Sequence, residues 1–386
     1  QSFTRDVRRL NSRGFPGDEL TWYQASSAAV IQPGYSFSDQ TTLSNMLRIN
    51  YNYDDRYLLT LTGRRDGFSG FGENQKWGNF YSGAAGWNAH NEVFLRESIF
   101  DQLKLRVSYG LNGNQAIGPY ETLTTLKRRP YLDGSSTAPG YVPNDIGNPN
   151  LRWESTLMGN IAIDYALFKN RLRGTIEYYE SKTNDLLLSK TISAVSGDGN
   201  NAITDNIGEI KNSGIEVLIS GDIIRKTDFK INMTGNFAWN KNEITKLYGN
   251  GMDDLANKWF IGEPINVAFD HEFGGVWQIG DDIENSAQPN HEPGFSKIVD
   301  QNGDGVIDHE DRTILGNLDP NIFAGLNASI QYKGISLNIF SQGSFGAIRD
   351  NDLLADDVSS DIGNNTIAKN WWTPDNPTNE YWANHV

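Results

Sequence analysis

The densest group of chemistry-bearing side chains in the 386-residue sequence is Asp300-Gln301-Asn302-Gly303-Asp304-Gly305-Val306-Ile307-Asp308-His309-Glu310-Asp311. Oxygen-bearing side chains stand at Asp300, Asn302 and Asp304, a glycine follows at Gly305, and a carboxylate closes the run at Asp311. Ca2+ takes about six to eight oxygens, and this spacing curls donors round one point while the glycine permits the sharp turn. The backbone carbonyl of Val306 supplies the next ligand in that scheme. Asp311 is shorter than the glutamate that usually closes such a loop, and the flanks carry no helical pattern. The run therefore reads as a loop that binds Ca2+ as a structural brace in a β context. The alternative is an Asp/Gly turn cluster that holds no metal.

Other chemistry is sparse. His90, His271, His291, His309 and His385 show neither H-x3-H nor HExxH spacing, so they read as scattered solvated histidines. No G-x-S-x-G elbow and no GK[ST] phosphate loop occurs. Asp253-Asp254 and Asp281-Asp282 read as solvated loop charges. With no cysteine, disulfides and thiolate metal sites are excluded. Neither a catalytic centre nor an organic cofactor is expected. Lys and Arg number 33 against 48 Asp and Glu, a net charge of −15 that argues against nucleic-acid binding. Trp77, Trp87, Trp259, Trp277, Trp371, Trp372 and Trp382 fall in or near loops. They would either stack against sugars or pack loops together, and packing is the expectation for any single one.

The elements that position these residues are strands. No run approaches the about 20 apolar residues of a membrane-spanning helix, which leaves membrane strands open. Aromatics reach 11 % and glycines number 39, a composition suited to many strands and turns. Apolar and polar residues alternate in Leu47 to Tyr53, Leu103 to Leu111, Ile161 to Leu167 and Leu172 to Tyr178. The same holds for Ile215 to Ile219, Phe229 to Asn240, Ala324 to Tyr332 and Ile335 to Phe340. Successive strand side chains point to opposite faces, so each stretch has a greasy and a polar face. The polar faces carry Arg48, Lys104, Arg106, Arg171, Arg173, Glu177 and Lys230. A soluble sandwich would put these in water, and a wide barrel would put them in its lumen. Periodicity does not choose between the two. Aromatics near strand ends (Tyr51, Tyr53, Tyr109, Tyr178, Tyr179, Phe237, Trp239, Tyr332) suit an interfacial girdle. Short turns at Asp54-Asp55-Arg56, Lys169-Asn170 and Lys333-Gly334 alternate with long loops near 64–100, 112–150, 183–212, 241–320 and 342–386. That alternation is the outer-membrane barrel pattern.

Several blocks resemble one family in its own order. Arg64 to Gly72 with Lys76-Trp77-Gly78 and Trp87 is similar to R-x-DGSSRFG…KWG…GW. Leu103 to Gly110 with Asn112 to Gln115 is similar to LKLRxSYGxxGNQ, and Asn148 to Glu154 to NPxLxWE. Tyr178 to Leu187, Asn206 to Glu216, Gly262 to Ile265, Asp300 to Gly316 and Tyr332 to Gly343 resemble further blocks. Together they resemble the SusC/RagA group of TonB-dependent transporters of the Gram-negative outer membrane. Phe68 and Gly70 depart from that pattern, which has Ser and Arg there, and Asn266 stands where Gly is usual. The resemblance implies an all-β fold, part of a transmembrane antiparallel barrel of about 22 strands with an internal plug and long extracellular loops. Residues 1–386 would be a partial barrel domain, lacking the plug and the closing strands, with the Ca2+-type loop 300–311 inside a long loop. It also implies active import of oligosaccharides or peptides across the outer membrane. The implied partners are a SusD-like surface lipoprotein, the TonB complex acting through the plug, and outer-membrane lipid. The alternatives are a soluble or surface-attached all-β glycan-binding protein and a passive porin.

Overall fold

A computed structural model describes residues 2–15, 26–134, 136–193, 202–249, 251–351 and 368–383. His385 and parts of the predicted loops 112–150, 183–212, 241–320 and 342–386 lie outside the described residues. The chain forms two units, Gln1–Asp222 with Thr245–Gly251, and Ile223–Ile244 with Met252–Val386.

The first unit is an antiparallel meander of long strands: β1 (Ser2–Arg13), β2 (Val30–Tyr53), β3 (Tyr57–Phe68), β4 (Trp77–Asn88), β5 (Phe100–Asn114), β6 (Glu154–Leu167), β7 (Leu172–Asn184) and β8 (Glu209–Arg225). Each pairs with its chain neighbour. Membrane strands need about 9–11 residues. The 24-residue β2 exceeds this because its first half pairs only with β1 and its second half with β3.

The predicted strands lie where the alternation put them, and the turns explain the register. Arg56 N donates to Tyr53 O at 3.0 Å, with Asp54 and Asp55 at φ 53° and 50°. That is the doubly left-handed turn whose twist matches paired strands. Connections 54–56, 89–99 and 168–171 alternate with 69–76, 115–153 and 185–208.

Two expectations change. The predicted loop 64–100 contains the end of β3 and all of β4. Gly83 and Ala85 sit between Tyr81 and Trp87 on the greasy face of β4, so its hydropathy signal is weak. Tyr178 and Tyr179 do not share a girdle. Tyr178 lies opposite Ile161, on the greasy face, whereas Tyr179 lies opposite Asn160, on the polar one.

The register places Ile49 opposite Leu61, and Ile161 opposite both Val107 and Tyr178. These side chains are exposed: Leu47 is 68 % accessible, Tyr109 61 % and Ile161 60 %. Among the described residues no second sheet covers them, as a dry sandwich would require. The apolar core lies instead at the long-loop end, where Phe68, Phe71, Ile117 and Leu151 pack with Trp153 and Leu187. Gly72 allows this closure, since a Cβ there would lie 1.9 Å from Pro149 O.

In the second unit β9 (Phe229–Lys246), β10 (Ile322–Tyr332) and β11 (Ile335–Phe345) pair in order. Ile231, Ile330 and Leu337 share one face, and Lys230, Gln331 and Ser336 the other. The segment between β9 and β10 is folded. Val267–His271 pairs with Arg312–Asn317, and Phe273–Val276 pairs with Ser296–Ile298. Phe260, Val267 and Phe269 form a buried cluster there, with Ile314 against it.

Candidate functional site: a polar wall and an acidic loop

Because β5, β6 and β7 alternate in phase, Arg106, Asp164 and Glu177 arrive on one polar face. The Arg106 guanidinium donates to both Asp164 oxygens at 2.7 and 3.0 Å and reaches Glu177 at 3.5 Å. Thr175 Oγ1 donates to Asp164 at 2.9 Å, and Asn160 Nδ2 donates to Glu177. On β2 and β3, Arg48 Nε donates to Thr62 and Thr60 donates to Asn50, at 3.2 and 3.0 Å. Solvated ion pairs contribute little singly, about 0.2–1 kcal/mol. A bidentate pair tied into a network fixes side-chain positions more firmly. The result is a stiff, wettable surface behind a greasy one. It suits contact with a hydrated solute.

At the short-turn end, Glu92 accepts hydrogen bonds from Tyr57 Oη (2.8 Å) and Trp87 Nε1 (3.1 Å), with Arg56 at 3.5 Å. The Tyr57 hydrogen bond, then that of Trp87, holds the Glu92 carboxyl below the ordinary glutamate value, against an opposing effect of burial. This clamp ties the β4–β5 connection to β3 and carried no signal in sequence, because its members are 35 and 5 residues apart.

The acidic loop is built from side chains folding back on their own backbone. Asp300 accepts from Gly303 N and Gly305 N at 2.7 and 3.0 Å. Asn302 accepts from Asp304 N, and Asp304 from Val306 N, each at 2.9 Å. Asp311 is completely buried and accepts from Gln301 N (2.9 Å) and Asp308 N (2.8 Å). The Asp308 N–H is the chief reason its carboxyl lies below the ordinary value, with burial acting the other way and the Gln301 and Asn302 amides assisting. The structure thus gathers Asp300, Asn302, Asp304 and Val306 in one turn. It gives Asp311 the separate task of pinning the two ends of that turn. Among the described residues, no three His, Asp or Glu side chains form a metal-binding group. The three expected carboxylate donors, Asp300, Asp304 and Asp311, thus do not form such a group, because Asp311 is turned to the Gln301 and Asp308 amides.

The tryptophans divide. Trp77 and Trp87 are strand residues of β4, a correction to their placement in loops. Trp277 and Trp372 are buried, with Trp372 Nε1 donating to Gln278 at 2.8 Å and Lys297 Nζ 4.4 Å from the Trp277 ring. Packing of loops is their role there.

Residues 3–282 match the family model described as TonB dependent receptor-like, beta-barrel. The chain is 34 % identical to TonB-dependent receptor P3 of Formosa agariphila over 381 residues, covering 95 % of this chain and 38 % of that protein. It is 33 % identical to TonB-dependent receptor SusC of Bacteroides thetaiotaomicron over 308 residues, covering 77 % and 30 %. Among solved structures, the RagAB peptide importer in its closed-closed state superposes with a TM-score of 0.75 at 26 % identity, covering 90 % of this chain and 38 % of that one. The chain thus spans well under half the length of these relatives. With an exposed apolar band on one face of the wall and an ion-laced polar face on the other, it belongs to the TonB-dependent receptor β-barrel family of SusC/RagA type, proteins of the Gram-negative outer membrane.

Proposed function

We propose that the protein carrying this wall imports large nutrients, oligosaccharides or peptides, across the outer membrane by TonB-dependent active transport, together with a SusD-like surface lipoprotein. The observation that carries this reading is the two-faced wall. Large apolar residues such as Leu47 and Ile161 are exposed, while the Arg106–Asp164–Glu177 network occupies the opposite face. That division fits lipid outside and water inside, and a soluble glycan-binding protein has no use for it. Membership of the family, and likeness to SusC and to the RagAB importer, support the cargo class and the partner. The chain's part is to form a stretch of lumen wall and a loop rim. TonB would act through a plug, and no covalent chemistry is asked of the wall. The test is uptake of labelled nutrient by cells with and without TonB, with affinity purification of the full-length protein from its native membrane. Uptake should vanish without TonB, and a lipoprotein should copurify. TonB-independent uptake, or a native complex lacking any lipoprotein, would sink the reading.

We also propose that loop 300–311 takes Ca2+. Asp300, Asn302, Asp304 and the Val306 carbonyl would hold the ion, and Asp311 would lock the ends of the loop. Two carboxylates, Asp300 and Asp304, folded into one turn with Asn302 and Val306 support a cation there. The ion would brace the loop and supply no reaction chemistry. Calorimetry with Ca2+ on the purified protein should show binding that EGTA reverses and that Asp304→Ala weakens. Absence of EGTA-sensitive heat would count against it.

A further inference from the structure

We infer that a polar cleft at the long-loop end of the first unit is a binding subsite for a neutral, polyhydroxylated ligand such as a saccharide ring. This rests on the import reading and narrows its cargo. The cleft encloses about 320 Å3, and its polar lining comes from Thr42, Ser44, Arg64, Asp66, Asn114 and Gln115. That volume is at the lower end for small-molecule pockets, about 300–1,000 Å3.

Three features mark the site as built. Asp66 is only 6 % accessible, and its Oδ1 has no hydrogen-bond partner among the described residues. A buried acceptor left unmade is costly, so a donor brought by a ligand gains more here than on open surface. Arg64 is held from two sides, by Asp66 Oδ2 at 2.6 Å and by the Phe80 ring, whose centroid lies 5.6 Å from the guanidinium carbon. Phe80 is itself wedged where Gly78 and Gly113 leave room, since a Cβ at either would come within 2.5 Å of the ring. Thr42, Ser44, Arg64, Asp66 and Asn114 sit on β2, β3 and β5, so strand ladders fix their spacing, and Gln115 follows β5 directly. Rigid placement of this kind lowers the cost of binding.

The chemistry of the lining selects the ligand. Arg64 and Asp66 already neutralise each other, so an anion gains little from the arginine and a cation finds the carboxylate shared. Thr42, Ser44, Asn114 and Gln115 both donate and accept. An apolar side chain would strip water from these groups and give nothing back. A hydroxyl both donates and accepts, and neighbouring hydroxyls on a ring can donate to Asp66 Oδ1 while accepting from Arg64. A peptide backbone offers similar atoms, but among the described lining residues its side chains would find one large apolar group, Trp153, whose ring can equally stack against a sugar.

The test uses the full-length folded protein. It is applied to an array of neutral, carboxylated and sulfated oligosaccharides, with a mixed tripeptide library as a separate arm. Wild type should bind neutral oligosaccharides. Ser44→Val and Asn114→Leu should each weaken that binding at least tenfold without changing the heat-modifiable mobility of the folded barrel. Asp66→Asn should weaken it further, but the two milder variants decide the matter if that one misfolds. Equal binding by Ser44→Val, Asn114→Leu and wild type would overturn the subsite. So would binding confined to peptides or to charged saccharides, or no saccharide binding at all. TonB dependence of uptake, measured in parallel, tells failure of the subsite apart from failure of the import reading.

Discussion

The strand wall of the first unit and the folded loops of the second bury opposite kinds of side chain. In the wall the large apolar residues are the exposed ones, Leu47, Ile49, Tyr109 and Ile161 among them, and arginine and carboxylates meet on the half-buried polar face. In the loops Phe260, Phe269, Trp277 and Trp372 are buried, while Asp270 and Asp304 lie in exposed positions. Charge follows the same division. The first unit has 23 Lys and Arg against 24 Asp and Glu, and the second has 10 against 24, so nearly all of the −15 sits in the second. One chain therefore obeys two solvents. Residues facing lipid lose nothing by being greasy and lose much by being charged, whereas loops in water need the ordinary inward apolar core.

The sharpest way to break this comparison is a charge on each surface. Leu47→Arg should cost about 2–4 kcal/mol if Leu47 faces the middle of the bilayer. Ile279→Arg, at an equally exposed loop position (66 % accessible), should stay within about 0.5 kcal/mol. Urea unfolding in lipid vesicles measures both, and equal effects would mean that the wall's apolar face does not meet lipid. Next in size is the junction of Phe68 and Gly70. A Cβ on Gly70 would lie 2.5 Å from Phe68 Cε1, so Gly70→Ala should cost about 1–3 kcal/mol by overpacking. Phe68→Ser combined with Gly70→Arg should cost less than the two singles together, a non-additivity read from the same unfolding curves. A strictly additive pair would show that these two departures from the family pattern are independent.

A smaller effect is expected on the polar face. Arg106→Gln removes the guanidinium between Asp164 and Glu177 and should cost about 1.5 kcal/mol, part of which Asp164→Asn restores in the double variant. Subtlest is the pH response of the two carboxyl clamps. Glu92 and Asp311 both titrate lower folded than unfolded. Their contribution is therefore complete above the unfolded carboxylate values and disappears as pH falls through the folded ones. Glu92→Gln should flatten the acid limb of the wall's unfolding, followed by Trp87 fluorescence, and leave the neutral region parallel to wild type. An unchanged acid limb would remove Glu92 from the account.

The strands were legible in long stretches of clean alternation such as Leu103 to Leu111 and Phe229 to Asn240. They were illegible in β4, where glycine and alanine fill the greasy face and pairing with β3 and β5 supplies the strand. The upper part of β2 went unread despite its own alternation through Tyr35, Ser36, Phe37 and Ser38. The long loops were placed roughly, but the short ribbons inside them were not foreseen, because pairs such as Val267–His271 with Arg312–Asn317 are distant in sequence.

Sequence alone determined the period-two strands, the alternation of turn and loop, the gathering of oxygens between Asp300 and Val306, and a family pattern strong enough to identify. Those are local properties, set by neighbours within about a dozen residues. Which face meets lipid, that Asp311 pins a loop, and that Arg64, Asp66 and Asn114 line one cleft were decided only in three dimensions. Strand pairing joins residues tens of positions apart, and one step of register would carry each of these side chains to the opposite face.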